Sequence, residues 1–448
     1  MQQGKRLGWA VLALLAASGL PHATFGASDK ALEDRVRALE QKLDQSSTQG
    51  ATQQQSVEDR IKAIETEVKD DEKNMAALLG IEIHGLLATN YNYNFNTPDS
   101  HTNKIHVFDQ DANSIELDQA NLNIQRKKPD GLSFNLDVDF GKTAEVVGAS
   151  THWSNNSSNT ESNNSIELRQ AFFTYAFKDT PFSITAGKFV TFHGAEVIKS
   201  YNNINFNISN SILFGFAVPF THTGVYGTYT LPSDLGSLSI GAVNGWDNPV
   251  DNNDSKSVTG MLTLTPAPMF TFALPTTYGS EQTNNGESKR FLISPLFTIK
   301  PMDTLTLIAE YDYGNESNVA LSCPPGVVCS GTLNTSSIPA QLLRAPGNAM
   351  WEGAAGYVIY AATDDIQLAL RGEVFDDPDG VRTLFQEPGF GPGQTLWEAT
   401  LTGSYKITDG LFWRNEYRHD ESDKRFFDKN NVEIRGQDLL ETELIYTF

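Results

Sequence analysis

From residue 81 onward the apolar positions of the chain recur at every second residue. In LSFNLDVDF (132–140), Leu132, Phe134, Leu136, Val138 and Phe140 alternate with Ser133, Asn135, Asp137 and Asp139. That period puts the two sets on opposite faces of a β-strand. Carboxylates opposite an unbroken apolar face suit a strand standing between lipid and a wet lumen, and would be costly in a dry sandwich core. The same alternation runs through 81–95, with Ile81, Ile83, Leu87, Tyr91, Tyr93 and Phe95 on one side. In 438–448, Leu440, Thr442, Leu444, Tyr446 and Phe448 oppose Leu439, Glu441, Glu443, Ile445 and Thr447. Further candidate strands lie near 115–125, 166–177, 182–190, 220–231, 237–245, 256–265, 269–278, 290–300, 304–313, 349–361, 366–375, 395–406 and 410–418. The pattern predicts about sixteen strands in all.

The connectors alternate in length. Short ones carry turn chemistry, as in Pro129-Asp130-Gly131, Asp179-Thr180-Pro181, Pro301-Met302-Asp303, Thr363-Asp364-Asp365 and Thr408-Asp409-Gly410. Long polar ones fall at 96–114, 141–165, 191–219, 314–348, 376–394 and 419–437. Short turns on one rim and long loops on the other are the layout of a transmembrane barrel. A secreted β-sandwich can also end in a strand, but nothing in it requires this alternation. The expected fold is therefore all-β, a transmembrane antiparallel barrel over 81–448 in which 438–448 pairs with 81–95 and leaves no edge. SIELDQANLNI (114–124) and SIELRQAFFTY (165–175) share S-I-E-L-x-Q-A, and in each the outward phase slips between the Leu and the Ala, as a β-bulge would make it. They read as two equivalent strands unless the echo is coincidence in a repetitive chain.

The first 80 residues follow other rules. Lys5 and Arg6, the apolar run 7–20 and the small residues from Thr24 to Ala27 form a secretory signal over 1–26, cut after Gly26. Over 28–79, Leu32, Val36, Leu39 and Leu43, then Val57, Ile61, Ile64 and Val68, form two short heptad seams joined by SSTQGATQQQ (46–55). This segment reads as a short N-terminal periplasmic α-helical coiled coil that oligomerises, or as an amphipathic linker, since each seam is too short to be stable alone.

A net charge of −22 argues against nucleic-acid partners and is compatible with a cation-preferring pore, or with solubility alone. No run of about 20 apolar residues follows the signal, so no helix of the mature chain spans a bilayer. A mean hydropathy of −0.33 does not exclude a barrel, whose alternating strands hide from averages. Cys323 and Cys329 lie inside a long loop, where an exported chain would close them into a small disulfide.

Strand parity points Glu116, Asp118, Asp137, Asp139, Glu167, Arg169, Arg290, Glu310, Asp312, Arg371, Glu373, Glu398, Arg414, Glu416, Arg418, Glu441 and Glu443 inward. Opposed arginine and carboxylate rows make a transverse field that favours charged or dipolar solutes, although such residues can equally be ordinary salt-bridged wall. The stretch 191–219 mixes apolar and Asn-rich pieces. Either it folds back into the barrel and brings Glu196 and Lys199 to a constriction, or it packs on a neighbouring subunit. Aromatics near strand ends, among them Tyr91, Phe140, Trp246, Trp351, Trp397 and Trp413, supply candidates for the interfacial girdles. His193 and Glu196 have a metal-like H-x-x-E spacing, but the local period is not helical and no third ligand is in sight, so no metal is expected. No nucleophile motif or phosphate-cradling glycine loop is present, and no cofactor is expected.

Gly187-Lys188-Phe189, Gly194 to Glu196, the Asn-rich stretch through Phe206, Pro219 to Gly224 and Asn244-Gly245-Trp246-Asp247 resemble the OmpL-like group of β-barrel porins, over most of 81–448. The resemblance implies a channel in the outer membrane of a Gram-negative bacterium, set among outer-membrane lipids. It also implies that Phe448 is an assembly signal read by the barrel-assembly machinery. The N-terminal heptads are similar in layout to the periplasmic coiled coil of sucrose-type porins, which are trimers, and this implies a homotrimer. The expected function is a water-filled porin for passive diffusion of small hydrophilic solutes or ions. Its rivals are a barrel enzyme of the lipase or protease kind and a structural or adhesive surface barrel.

Overall fold

The computed structural model describes residues 80–150, 166–319, 347–383, 386–387 and 391–448, with Arg37, Ala38 and Gln41. The signal peptide, the coiled-coil seams and the Cys323–Cys329 pair lie outside the described residues. Strands β1 (Glu82–Asn94), β2 (Ile115–Arg126), β3 (Gly131–Phe140), β4 (Ile166–Ala176), β5 (Phe182–Val190), β6 (Thr221–Thr230), β7 (Gly236–Val243) and β8 (Ser257–Ala267) form the first half of the sheet. The second half is β9 (Phe270–Gly279), β10 (Arg290–Ile293, continued by Leu296–Met302), β11 (Leu305–Val319), β12 (Gly347–Ala361), β13 (Ile366–Asp377), β14 (Gln394–Thr408), β15 (Leu411–Ser422) and β16 (Gly436–Thr447).

Each strand pairs antiparallel with the next, and β16 pairs antiparallel with β1 from Leu86↔Thr447 to Asn94↔Leu439, so the sheet closes into a sixteen-stranded barrel. Closure satisfies the backbone donors and acceptors that lipid could not. The one interruption, in β10, falls at Ser294-Pro295. Pro295 has no N–H to give, and its carbonyl still accepts from Tyr311 at 3.1 Å. Strands β11, β13 and β15 run further toward the long-loop rim than their hydrophobic alternation predicts, because polar pairs such as Arg290–Glu316 continue the ladder there.

Both repeats of S-I-E-L-x-Q-A carry the expected bulge, each at the variable position. Opposite β1 the register steps from Gln119 to Leu117 and skips Asp118; opposite β3 it steps from Gln170 to Leu168 and skips Arg169. The outer face is apolar: Ile83, Leu87, Phe173, Ile240, Leu370, Leu401 and Leu444 are all exposed on it. Tyr91, Phe140, Trp397 and Trp413 are exposed there too, as girdle residues should be. Trp351 and Trp246 are not girdle residues. Trp351 is 0% exposed, packs edge to face on Trp246, and donates Nε1–H to Ala217 O at 3.1 Å inside the barrel. The reason lies in β12, whose inward positions Ala349, Trp351, Ala355, Tyr357 and Ile359 are apolar, so parity alone could not say which face meets lipid.

The apolar core is consequently inside the barrel. It joins Ile198, Ile212, Leu213, Phe214, Ala217 and Val218 of the 191–219 segment to Trp351, Tyr357, Ile359, Phe375 and Leu396 of the wall. Ile105, Phe108, Val147 and Phe427 from three other long connectors join it, Val147 being on the short helix α1 (Lys142–Ser150).

Candidate functional site

The segment 191–219 folds into the barrel, and polar side chains of the inner wall hold nearly every part of it. It enters beside β9 and β10, where His193 Nδ1 meets Ser294 Oγ at 2.8 Å and Nε2 meets Thr277 Oγ1 at 2.9 Å. Burial, followed by the neighbouring His222, keeps the His193 pKa well below its ordinary value, so the ring is neutral. Next along the chain, Glu196 Oε1 pairs with Arg371 Nη1 of β13 at 2.6 Å, and its Oε2 accepts from Ser211 N at 2.8 Å. His193 and Glu196 thus diverge to opposite sides and form no metal site. His193 also lacks the carboxylate that would orient it as a base for Ser294.

Lys199 lands on the two bulges. Its Nζ bridges Asp118 (2.5 Å) and Glu443 (2.7 Å), while its carbonyl accepts from Arg169 Nη1 at 2.5 Å. Burial alone would lower the Lys199 pKa, but the carboxylates of Asp118 and Glu443 more than offset it and hold it above the ordinary value. A bulge turns two successive side chains toward one face, and here Asp118 and Gln119 are both buried on the inner side. The tip then reaches the short-turn rim. The Tyr201 ring stacks on His84 with centroids 4.0 Å apart, and its Oη accepts from Gln125 Nε2 at 2.5 Å. Asn202 and Asn203 at the tip are exposed.

The returning limb is bound by the opposite wall. Arg414 donates to Asn205 O at 2.8 Å and pairs with Glu443 at 2.7 Å. Glu416 accepts from the amides of Ile208 (2.6 Å) and Ser209 (2.9 Å), and Glu373 from those of Ile212 (2.5 Å) and Leu213 (3.0 Å). Arg418 donates to Asn210 O at 2.7 Å, and Arg371 to Ser209 O at 2.8 Å. Charge-assisted bonds of this kind are stronger than neutral ones, and here they satisfy the backbone of an irregular segment buried inside a barrel.

Of the remaining inward charges, Asp137 and Asp139 each stand 3.4 Å from Arg169, and Glu167 pairs with Lys188. Glu116 has neither carboxylate oxygen bonded, and Glu310 lacks a partner on Oε1. All fourteen candidate lining residues therefore sit on the inner wall or on the segment that crosses it, and most are covered by that segment. Sequence reasoning missed Tyr201, its partner Gln125, and Arg382; it pointed Arg290 inward and named Trp246 for a girdle, but not that the guanidinium carbons of Arg290 and Arg382 both lie 4.7 Å from the Trp246 ring. No local signal marks these, since each contact joins distant strands and loops.

Residues 80–448 match the family described as "Putative beta-barrel porin-2, OmpL-like". No curated protein matches the chain. Among solved structures, it is similar to OprB of Pseudomonas putida at 10% identity and a TM-score of 0.52, covering 84% of this chain and 96% of that one. It is also similar to the outer membrane channel DcaP of Acinetobacter baumannii at 13% identity and a TM-score of 0.50, covering 82% and 97%. OmpF of Salmonella typhi, in complex with daunomycin, gives 13% identity, a TM-score of 0.50 and the same coverage of 82% and 97%. At these identities the likeness is one of fold.

Proposed function

The chain belongs to the OmpL-like β-barrel porin family, and from that premise we propose an outer-membrane channel for passive diffusion of small hydrophilic solutes or ions, narrowed by its own 191–219 segment. The observation that carries this reading is the double attachment of that segment, to β2, β4 and β16 through Lys199 and to β13 and β15 through Glu196 and Ser209–Leu213. A segment held from both sides leaves a reduced path through the barrel rather than an open pipe. On this reading conduction is slow, and small solutes pass while large ones do not.

The charge that lines this path favours cations. Acids outnumber bases among the inward residues, and their sum sets the sign of the field along the path. A low-dielectric wall focuses the resulting field on the path. The chain works as a homotrimer, supported by the heptad seams at 28–79, and Phe448 directs its assembly.

Reconstitution into planar bilayers tests the reading. Well-folded protein should give stepwise conductance, and none would overturn the channel. Reversal potentials in a salt gradient then test the preference, with a sign favouring anions ruling it out. Native mass determination in detergent should give three chains.

A further inference from the structure

Three side chains able to ligate a metal meet near the long-loop rim, beside the Glu416 and Arg418 attachments of the constricting segment. His106 and Asp109 lie on the connector between β1 and β2, and Glu441 lies on the inner face of β16. One donor atom from each falls within 4.8 Å of the other two. All three residues are buried, with relative exposures of 3%, 4% and 2%.

The imidazole is already oriented as a ligand would be. Its Nε2 stands 2.9 Å from Asp420 Oδ2. Asp420 is fixed in turn by Arg418 Nε at 2.7 Å and Gln437 Nε2 at 2.9 Å. A carboxylate that accepts a hydrogen bond from Nε2–H leaves the Nδ1 lone pair for a metal, the arrangement that orients histidine in metal sites. Nδ1 faces Asp109, with which it is in contact.

A second observation points to an occupant. Neither carboxylate oxygen of Glu441 meets a hydrogen-bond donor, although the residue is almost fully buried. Its neighbour is the carboxylate of Asp109. Arg418, the nearby cation, gives its Nε and Nη1 to Asp420, Asn210 O and Ser209 Oγ, and its Nη2 makes no hydrogen bond to Glu441. Two carboxylates facing each other in a buried site need a positive charge or a proton between them.

We propose that His106 Nδ1, Asp109 and Glu441 bind a divalent transition-metal ion of the Zn²⁺ class. One imidazole nitrogen with two carboxylates and a remaining position for water suits Zn²⁺, whereas Ca²⁺ takes six or more oxygens and Mg²⁺ keeps most of its waters. Binding replaces the Nδ1 contact to Asp109 and releases the proton held there. The ion staples the β1–β2 connector to β16, whose Glu441 lies opposite Asn92 across the closing seam.

The test uses the untagged full chain in detergent, stripped with chelator and dialysed against Zn²⁺. Elemental analysis should find a single ion per chain, and Glu441→Gln and His106→Ala should lose it. Asp420→Asn keeps the shape of the side chain but weakens the orienting bond, together with those from Arg418 and Gln437, and should weaken binding by roughly 10–100-fold. X-ray absorption on the wild type should show one imidazole nitrogen with oxygen ligands at about 2.0–2.2 Å. That spectrum decides the matter even if a variant fails to fold. No bound ion, equal binding by Glu441→Gln, or sulfur among the ligands would each overturn the proposal. The first of these outcomes would leave a proton shared by Asp109 and Glu441 as the occupant.

Discussion

Gly85 and Phe448 close the barrel against each other. Gly85 N donates to Phe448 O at 2.9 Å and Phe448 N donates to Gly85 O at 3.0 Å. Gly85 shares the outward face of β1 with Ile83 and Leu87, yet it is buried, because the phenyl ring of Phe448 lies over it. A Cβ at residue 85 would stand 2.4 Å from the ring's Cζ. The seam between first and last strands therefore combines two backbone bonds with an aromatic cover that only glycine admits.

Gly85→Val should push the ring off the seam and lower the stability of the folded barrel by about 1–3 kcal/mol, the usual range for overpacking. Phe448→Ala in the same chain removes the clash, so the double variant should be more stable than Gly85→Val alone. Urea unfolding in detergent, read by the shift in gel mobility between folded and heated protein, measures both. Equal stability of Gly85→Val and wild type would mean that the ring moves aside freely.

Arg371 is the cation on which the returning limb depends. It pairs with Glu196 at 2.6 Å and Glu398 at 2.7 Å, and it is 0% exposed. Arg371→Ala leaves two buried carboxylates without their partner, a loss of roughly 3–5 kcal/mol. Arg371→Lys keeps the charge but not the planar fork, and should recover only part of it. Single-channel recordings should show larger or noisier steps for Arg371→Ala as the limb detaches. Unchanged stability and conductance together would remove the clamp from the account.

Much of this barrel was legible in the sequence because lipid on one side and polar groups on the other impose a strict period of two. That contrast gave the strand set, the parity of Asp137 and Asp139, and even the bulges at Asp118 and Arg169, where the phase slips. It failed at β12, where Trp351 and Tyr357 face an apolar segment inside the barrel instead of water. The partners of the in-folded segment were also illegible. Glu196 and Arg371 are 175 residues apart, and nothing local in either stretch names the other. Parity says which way a wall residue points; what it meets there depends on how a 29-residue stretch, 191–219, threads the lumen.

Lys199 is seated in a socket made by the repeated motif. The variable residue of one copy, Asp118, binds its Nζ, and that of the other, Arg169, binds its carbonyl. Lys199→Met keeps the side-chain length but leaves Asp118 and Glu443 buried without their shared cation. The expected cost is again about 3–5 kcal/mol. Adding Asp118→Asn removes one of the stranded charges and should restore part of the loss. A double-mutant cycle by urea unfolding measures the coupling, and strict additivity of the two changes would show that the socket does not act as a unit.

The tip offers the most direct test of constriction, because it can be loosened without stranding a charge. Tyr201 is held at the short-turn rim by its stack on His84 and its bond to Gln125, while Asn202 and Asn203 beyond it are exposed. Tyr201→Ala removes both contacts and leaves Lys199, two residues earlier, in its socket. The stability change should be no more than about 1–3 kcal/mol, the value of one aromatic contact and one hydrogen bond. Single-channel conductance in potassium chloride should nevertheless rise, since the tip can then swing away from β1 and β2. A folded Tyr201→Ala protein with wild-type conductance would place the narrowest point elsewhere. The Lys199 socket, deeper in the lumen, would then be the position to probe.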